Sequence, residues 1–229
     1  MKKIGFIGVF DKMDLILCIA KILTSTNQKV LIIDATTNQK AKYIVPAINP
    51  TRSYVTEYEG IDVAVGFDSV QNIKQYLGLE DEEKLEYDVM LVDTDNYQGV
   101  VNYNLKDSEK NYYFTSFDIY SLKKGIEILN QIQVPIRMTK IFFSKEMLKE
   151  EEEYFDYLSL GVRTEWNEEK LYFLLENGDQ AAMIENQRVA KIKLRNLSNE
   201  YRENVIFLTN EIDKRIGERK IRNIVKGEM

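Results

Sequence analysis

Short, nearly continuous apolar runs alternate along this chain with stretches whose apolar residues recur at helical spacing. Lys3 to Val9 reads as a strand, and a helical stretch follows from about Asp14 to Ser25. After a turn at Asn27-Gln28, the run Lys29 to Asp34 is a buried strand that ends on a carboxylate. A weaker strand is predicted at Val63 to Val65, after a turn at Gly60, and a helix over Asp68 to Leu79. Glu86 to Asp93 is again a buried strand ending on aspartate. Later strands are predicted at Tyr112 to Thr115, Thr139 to Phe143 and Leu171 to Leu175, with helices around Ile119 to Ile132 and Glu146 to Leu158. From about Asn186 onward the pattern is helical. Strands without polar alternation need cover on both faces. The predicted fold class is therefore α/β, a three-layer α-β-α arrangement around a mostly parallel sheet. The three prolines and eleven glycines form no linker, and no repeat is visible. A single domain over residues 1–229 is expected, with a helical C-terminal region from about residue 186.

Composition narrows the chemistry. The 229 residues are 44% hydrophobic and 30% charged, which suits a folded globular protein. A net charge of −6 works against sequence-independent nucleic-acid binding, which needs a basic face. There is no histidine, so imidazole bases, histidine triads and histidine-liganded metals are all excluded. The lone Cys18 cannot form an internal disulfide, and within the apolar run Leu15 to Ala20 it is expected to be a small core residue. The acidic run Glu150 to Glu153 is expected to be a solvated helix face. No uncharged apolar window approaches the roughly 18 residues of a membrane span. Asp11, Lys12 and Asp14 interrupt the first apolar run too early for a signal peptide. A cytoplasmic location is expected.

Three segments together carry a family resemblance. The strand Ile4 to Val9 leads through a loop into a helix, the next strand ends Ile33-Asp34-Ala35-Thr36, and Tyr87 to Asp95 looks like a Walker B strand. Their order and spacing resemble the ParA/MinD family of P-loop ATPases with a deviant Walker A motif. The resemblance implies a P-loop NTPase-like fold and a site for ATP or ADP with Mg²⁺. The family carries Lys-Gly-Gly-x-Gly-Lys-Ser/Thr-Ser/Thr between strand and helix, and Ile7 to Asp14 stand in that place. Lys12 falls on the phosphate-binding lysine and Gly8 on one glycine. Asp93 falls on the Walker B carboxylate that holds the metal through water. Asp34 falls where the family positions the attacking water or the metal. Ile7 replaces the signature lysine, Val9 and Asp11 replace two glycines, and Met13 replaces the Mg²⁺-binding hydroxyl. Ser144 stands near the place of the family's adenine-contacting asparagine.

Each departure has a physical consequence. Glycines let loop amides wrap phosphates, and Val9 and Asp11 resist that wrap. A carboxylate about 4 Å from a phosphate charge costs on the order of 1 to 4 kcal/mol. A thioether cannot replace oxygen on Mg²⁺. The expectation is a degenerate member that acts as a non-hydrolysing scaffold or as a localisation or assembly factor, with no cofactor required. Relatives of that kind serve tight-adherence pilus systems. They usually carry an N-terminal receiver-like domain, which is not expected ahead of a strand at residue 3. The alternative is an active ATPase with an unusual phosphate loop, using Lys12, Asp34 and Asp93 to position cellular cargo. A binder of another small molecule at the strand ends is a third reading. On plain grounds, strand-end carboxylates cap the following turn and a loop lysine is solvated.

Partners follow from the same comparison. The resemblance implies protein partners of a larger assembly and a face-to-face homodimer. Phe10 at the loop tip fits either such a contact or packing on its own core. Val205, Leu208, Ile212 and Ile216 share a helical face, and Lys214, Arg215, Arg219, Lys220, Arg222 and Lys226 follow as a basic cluster. A basic amphipathic tail resembles the membrane-targeting helix of the MinD branch and would place the protein at the inner face of the membrane. The plain alternative is a last helix packed on the sheet.

Overall fold

The isoleucine-, valine- and leucine-rich runs become strands covered on both faces. The structure, a computed structural model, describes residues 1–47, 52–174 and 176–227. Among the described residues the sheet has eight strands: β1 (Lys2–Ile7), β2 (Val30–Asp34), β3 (Tyr54–Tyr58), β4 (Ile61–Val65), β5 (Val89–Thr94), β6 (Lys110–Ser116), β7 (Ile136–Ser144) and β8 (Thr164–Leu174). Their spatial order is β3-β4-β2-β5-β1-β6-β7-β8. Every neighbouring pair is parallel except β3 with β4, a hairpin that sets Tyr58 opposite Ile61. Its two turn residues, Glu59 and Gly60, have φ of 55° and 84°, the left-handed pair that matches hairpin twist.

Helices cover the two faces. They are α1 (Met13–Thr24), α2 (Ala41–Ile44), α3 (Val70–Tyr76), α4 (Tyr97–Asn102), α5 (Ile119–Gln131), α6 (Lys149–Leu158), α7 (Asn177–Val189), α8 (Asn199–Ile212) and α9 (Glu218–Lys226). Alternate strand residues serve opposite layers. Ile4, Phe6, Val30, Ile32, Leu91 and Phe114 pack with α1, α8 and α9. Ile7, Leu31, Ile33, Met90, Val92 and Phe142 pack with α3, α4, α5 and α6. This is the three-layer α/β architecture expected from the pattern of runs.

Several local expectations are corrected. The hairpin strand β3 was not anticipated, and α7 begins at Asn177, before the helical region expected from about residue 186. Strand β8 is longer than its predicted core, and Leu175 lies outside the described residues. Glu152 is not solvated: it is buried on α6 and holds Lys170 and the Tyr172 hydroxyl of β8. Cys18 is buried as expected, and burial pushes its thiol pKa far up. Phe10 packs on its own core, stacked on Phe143 with ring centroids 4.5 Å apart.

The basic C-terminal helix is likewise committed to the core. Ile221 and Val225 of α9 are buried beside Val205 and Leu208 of α8, and Ile224 packs against the same cluster. Ile216 lies beyond the end of α8 and packs there too. With its apolar side spent, α9 presents Arg222 to Glu203 and Glu218 rather than an apolar face to a lipid surface. No helix among the described residues is long and apolar enough to cross a membrane. At the other end of the chain, Lys2 donates to the carbonyl of Ile212 at 2.8 Å and pairs with Asp213 at 3.1 Å.

One glycine fixes how closely β1 approaches β6. Gly8 has φ +135°, and a Cβ there would sit 2.0 Å from the carbonyl oxygen of Phe114. Gly60 also has positive φ, +84°, but a Cβ there would meet nothing within 4 Å. Gly8→Ala is therefore expected to cost about 3 kcal/mol or more, and Gly60→Ala only about 1 kcal/mol of backbone strain. Urea unfolding midpoints of the two variants check the difference.

Candidate functional site

The carboxyl ends of β1, β2 and β5 lie side by side, and their loops meet above the sheet. Parallel register sets Asp34 opposite Asp93, and Ile7 opposite Thr94. The chain leaves β1 for β2 on one side and crosses from β5 to β6 on the other, so this is a topological switch point. A cleft of about 410 Å³ opens here, lined by Gly8 to Lys12 together with Thr36, Lys40, Tyr43, Asp93 and Asp95.

Lys12 is the centre of the arrangement. It occupies the N-cap position of α1, but its side chain turns inward. Its Nζ lies 2.6 Å from Asp93 Oδ1, and the two side chains are 1% and 3% exposed. The ammonium also donates to the carbonyl of Gly8 at 2.9 Å and reaches that of Thr94 at 3.5 Å. The expectation of a solvated loop lysine is thus wrong, because the switch point offers a buried carboxylate and two carbonyls within reach. Gly8 completes the bracket, its N–H donating to Thr94 O at 3.0 Å.

The two sequence-predicted carboxylates have different partners. Burial pushes the Asp93 carboxyl up to about 7, against the pull of Lys12 and with a further push from Asp34. Asp34 accepts from Thr36 N at 3.1 Å, Thr36 Oγ1 at 2.5 Å and Ala41 N at 2.9 Å. Burial raises its pKa as well, opposed by those hydrogen bonds. Asp34 therefore caps the turn into α2, the plain reading of a strand-end carboxylate.

The rest of the loop is knitted by contacts that join residues singled out in the sequence, such as Asp11, to others that were not, Lys40 and Gln187 among them. Asp11 Oδ1 accepts the N–H of Met13 at 3.2 Å, filling the first turn of α1 with the chain's own carboxylate. Lys40 bridges Asp11 and Asp14, the latter at 2.8 Å. Gln187 of α7 donates to both oxygens of Asp14, at 2.9 and 3.0 Å. Asp95 accepts from Thr37 N at 2.8 Å and Thr37 Oγ1 at 3.0 Å. Met13 and Ile7 are buried in the two opposite cores. Ser144 ends β7 and accepts from Glu146 N at 3.3 Å. Among the described residues, no three carboxylate or thiolate side chains converge as metal ligands. Lys40 and Gln187 carried no motif; only their partners' acidity could have suggested them.

No protein-family model matches the chain, and no curated protein matches its sequence. Solved structures share its fold. A ParA family ATPase from Chlorobium tepidum superposes with a TM-score of 0.59 at 14% identity, over 90% of this chain and 98% of that one. The cell division ATPase MinD of Pyrococcus furiosus gives 0.56 at 13% identity, over 93% and 98%. A plasmid partition protein of Borrelia burgdorferi, solved with AMPPNP, gives 0.54 at 14% identity, over the whole of both chains. The chain has the ParA/MinD-type, P-loop NTPase-like fold.

Two outcomes test the buried pair. Lys12→Met leaves Asp93 buried and uncompensated, which is expected to cost about 3 to 5 kcal/mol, and Lys12→Met with Asp93→Leu is expected to recover most of it. Thermal or urea unfolding of the single and double variants checks this. The raised Asp93 pKa also fixes a sign. The folded chain holds this proton above the ordinary value of 3.8, so the contribution of Asp93 to stability is full below that pH and is lost as pH rises through about 7. Asp93→Asn is expected to flatten that part of the stability–pH curve.

Proposed function

We propose that this chain is a ParA/MinD-fold positioning or assembly protein that works without hydrolysing nucleotide. The observation that carries the reading is the state of Lys12, whose ammonium is spent on Asp93 and two carbonyls beneath the loop. Phosphoryl transfer in P-loop proteins depends on loop amides, a free lysine and a correctly held Mg²⁺. Here Asp11 puts a negative charge where phosphate would sit, Met13 is a buried thioether in the hydroxyl's place, and Asp93 is engaged by Lys12. These residues do not fit a Mg²⁺-nucleotide, and no catalytic step is assigned to Gly8, Lys12, Asp34 or Asp93.

In this reading the fold is kept as a docking body for protein partners. The neighbouring structures are named as ParA family, cell division and plasmid partition proteins, which supports a role in placing a cellular assembly. A homodimer through the loop face stays compatible with it. A bilayer contact through α9 would first require that helix to leave the core.

Titration calorimetry of ATP and of ADP, each with Mg²⁺, is expected to show no saturable heat up to millimolar nucleotide, and phosphate release no rate above buffer. Micromolar ATP binding that Lys12→Ala abolishes without loss of fold would overturn the proposal in favour of an active ATPase with an unusual loop. A retained ligand that is not a nucleotide would instead favour a different small-molecule site.

A further inference from the structure

A second groove, of about 440 Å³, lies away from the switch point and shares no lining residue with the cleft there. It runs between the end of α1, the segment after α7 and the end of α9. Its floor is apolar: Leu194 and Val225 are buried, and Ile192 and Ile224 are half-buried. Its rim carries Lys21, Lys193 and Arg195, and among the described residues no carboxylate lines it.

The sequence beneath the groove has a pattern of its own. From Lys191 to Arg195 basic and apolar residues alternate strictly, and residues 188–195 hold four cations and no acid in a chain of net charge −6. Residues 191–193 lie between helices, with Ile192 N donating to Glu59 at 3.1 Å. Lys21 is held by Glu59 at 3.3 Å and Lys193 by Glu185 at 3.0 Å. Arg195 and Lys191 are exposed and have no ion-pair partner among the described residues. Lys21 and Lys193 are thus fixed by internal partners, while Arg195 and Lys191 stay open to an outside anion.

We propose that this groove docks an acidic segment of a partner protein, one or two of whose large apolar side chains enter the floor while its carboxylates meet Arg195 and Lys191. Shape decides against a bilayer, because the apolar atoms are recessed and a ligand must bring its own apolar group inward. The lining decides against nucleic acid: phosphate binding gains nothing from an apolar floor, and among the described residues no aromatic ring lines the groove for base stacking. An acid–apolar alternation is the complement of the Lys191 to Arg195 alternation. The proposal goes beyond the scaffold reading and does not depend on whether nucleotide binds at the other site.

The test uses the full chain and a short fluorescent peptide alternating glutamate with leucine, read by anisotropy. Saturable binding is expected, weakened about tenfold by Arg195→Glu. Similar weakening is expected when serine replaces leucine in the peptide, or when Ile224→Ser removes part of the floor. Circular dichroism and the unfolding midpoint of each variant guard against mere misfolding, and Arg195→Lys should restore binding. Absence of peptide binding overturns the proposal, as does binding that ignores both Arg195→Glu and loss of the leucines. Binding of an anionic vesicle or a DNA duplex, lost in Arg195→Glu while the peptide stays inert, also overturns it and gives the patch to another partner class.

Discussion

The ion pair between Lys12 and Asp93 is the constraint around which the upper edge of the sheet is organised. A cation and a carboxylate, both nearly sealed from water, are tolerable only if each finds its counterpart at contact distance and the remaining donors are used. Lys12 meets Asp93 at 2.6 Å and spends another proton on Gly8 O at 2.9 Å. That requirement fixes the path of the loop after β1, which must turn back over the end of β5. It also explains why Gly8 lies so close to β6, since any side chain there would push the bracket apart. The neighbouring acids are then managed in turn, Asp34 by the amides entering α2 and Asp11 and Asp14 by Lys40 and Gln187.

Much of the frame was legible because period and composition agree. The run Val30 to Asp34 has no polar residue before its last position, so both faces had to be covered, and they are. The hairpin strand β3 was missed although Tyr54 to Tyr58 combines aromatic and β-branched residues ahead of Glu59-Gly60. Glu57 and Thr56 interrupt the hydrophobicity there, and an edge strand needs less of it. At the site, the family resemblance singled out Gly8, Lys12, Asp34 and Asp93, and the structure sets them at neighbouring strand ends, but the direction of the Lys12 side chain was not legible. That direction depends on a carboxylate 81 residues away in the chain being brought within contact distance, which is a property of the assembled sheet. The same holds for Glu152, whose run of acids suggested water and whose partners lie on β8.

The C-terminal helices show the opposite relation between pattern and outcome. The apolar face at Val205, Leu208 and Ile212 and the basic cluster after it were visible, yet amphipathicity alone does not say which surface receives the apolar side. Here the chain's own core receives it, through Val205, Leu208, Ile221 and Val225, with α9 packed on α8 and α1. The basic residues of α9 are left outside, some paired, while its apolar Ile224 and Val225 help floor a groove whose cations come from elsewhere, Lys193 and Arg195 among them.

The position of β1 in the sheet bears on how the chain reaches this state. The first strand in the sequence, β1, is a central one, and its two neighbours, β5 and β6, begin only at Val89 and Lys110. Its Lys2 finds its own partners later still, at Ile212 and Asp213. Contacts of such sequence separation close slowly, because the intervening loop entropy must be lost before any pairing is gained. During synthesis, then, an apolar strand with two open edges waits until β5 and β6 have followed it, and the last clasp forms only after Asp213 has emerged. Protection of that early strand, by a chaperone or by transient contact with α1, becomes a condition for obtaining the sheet at all.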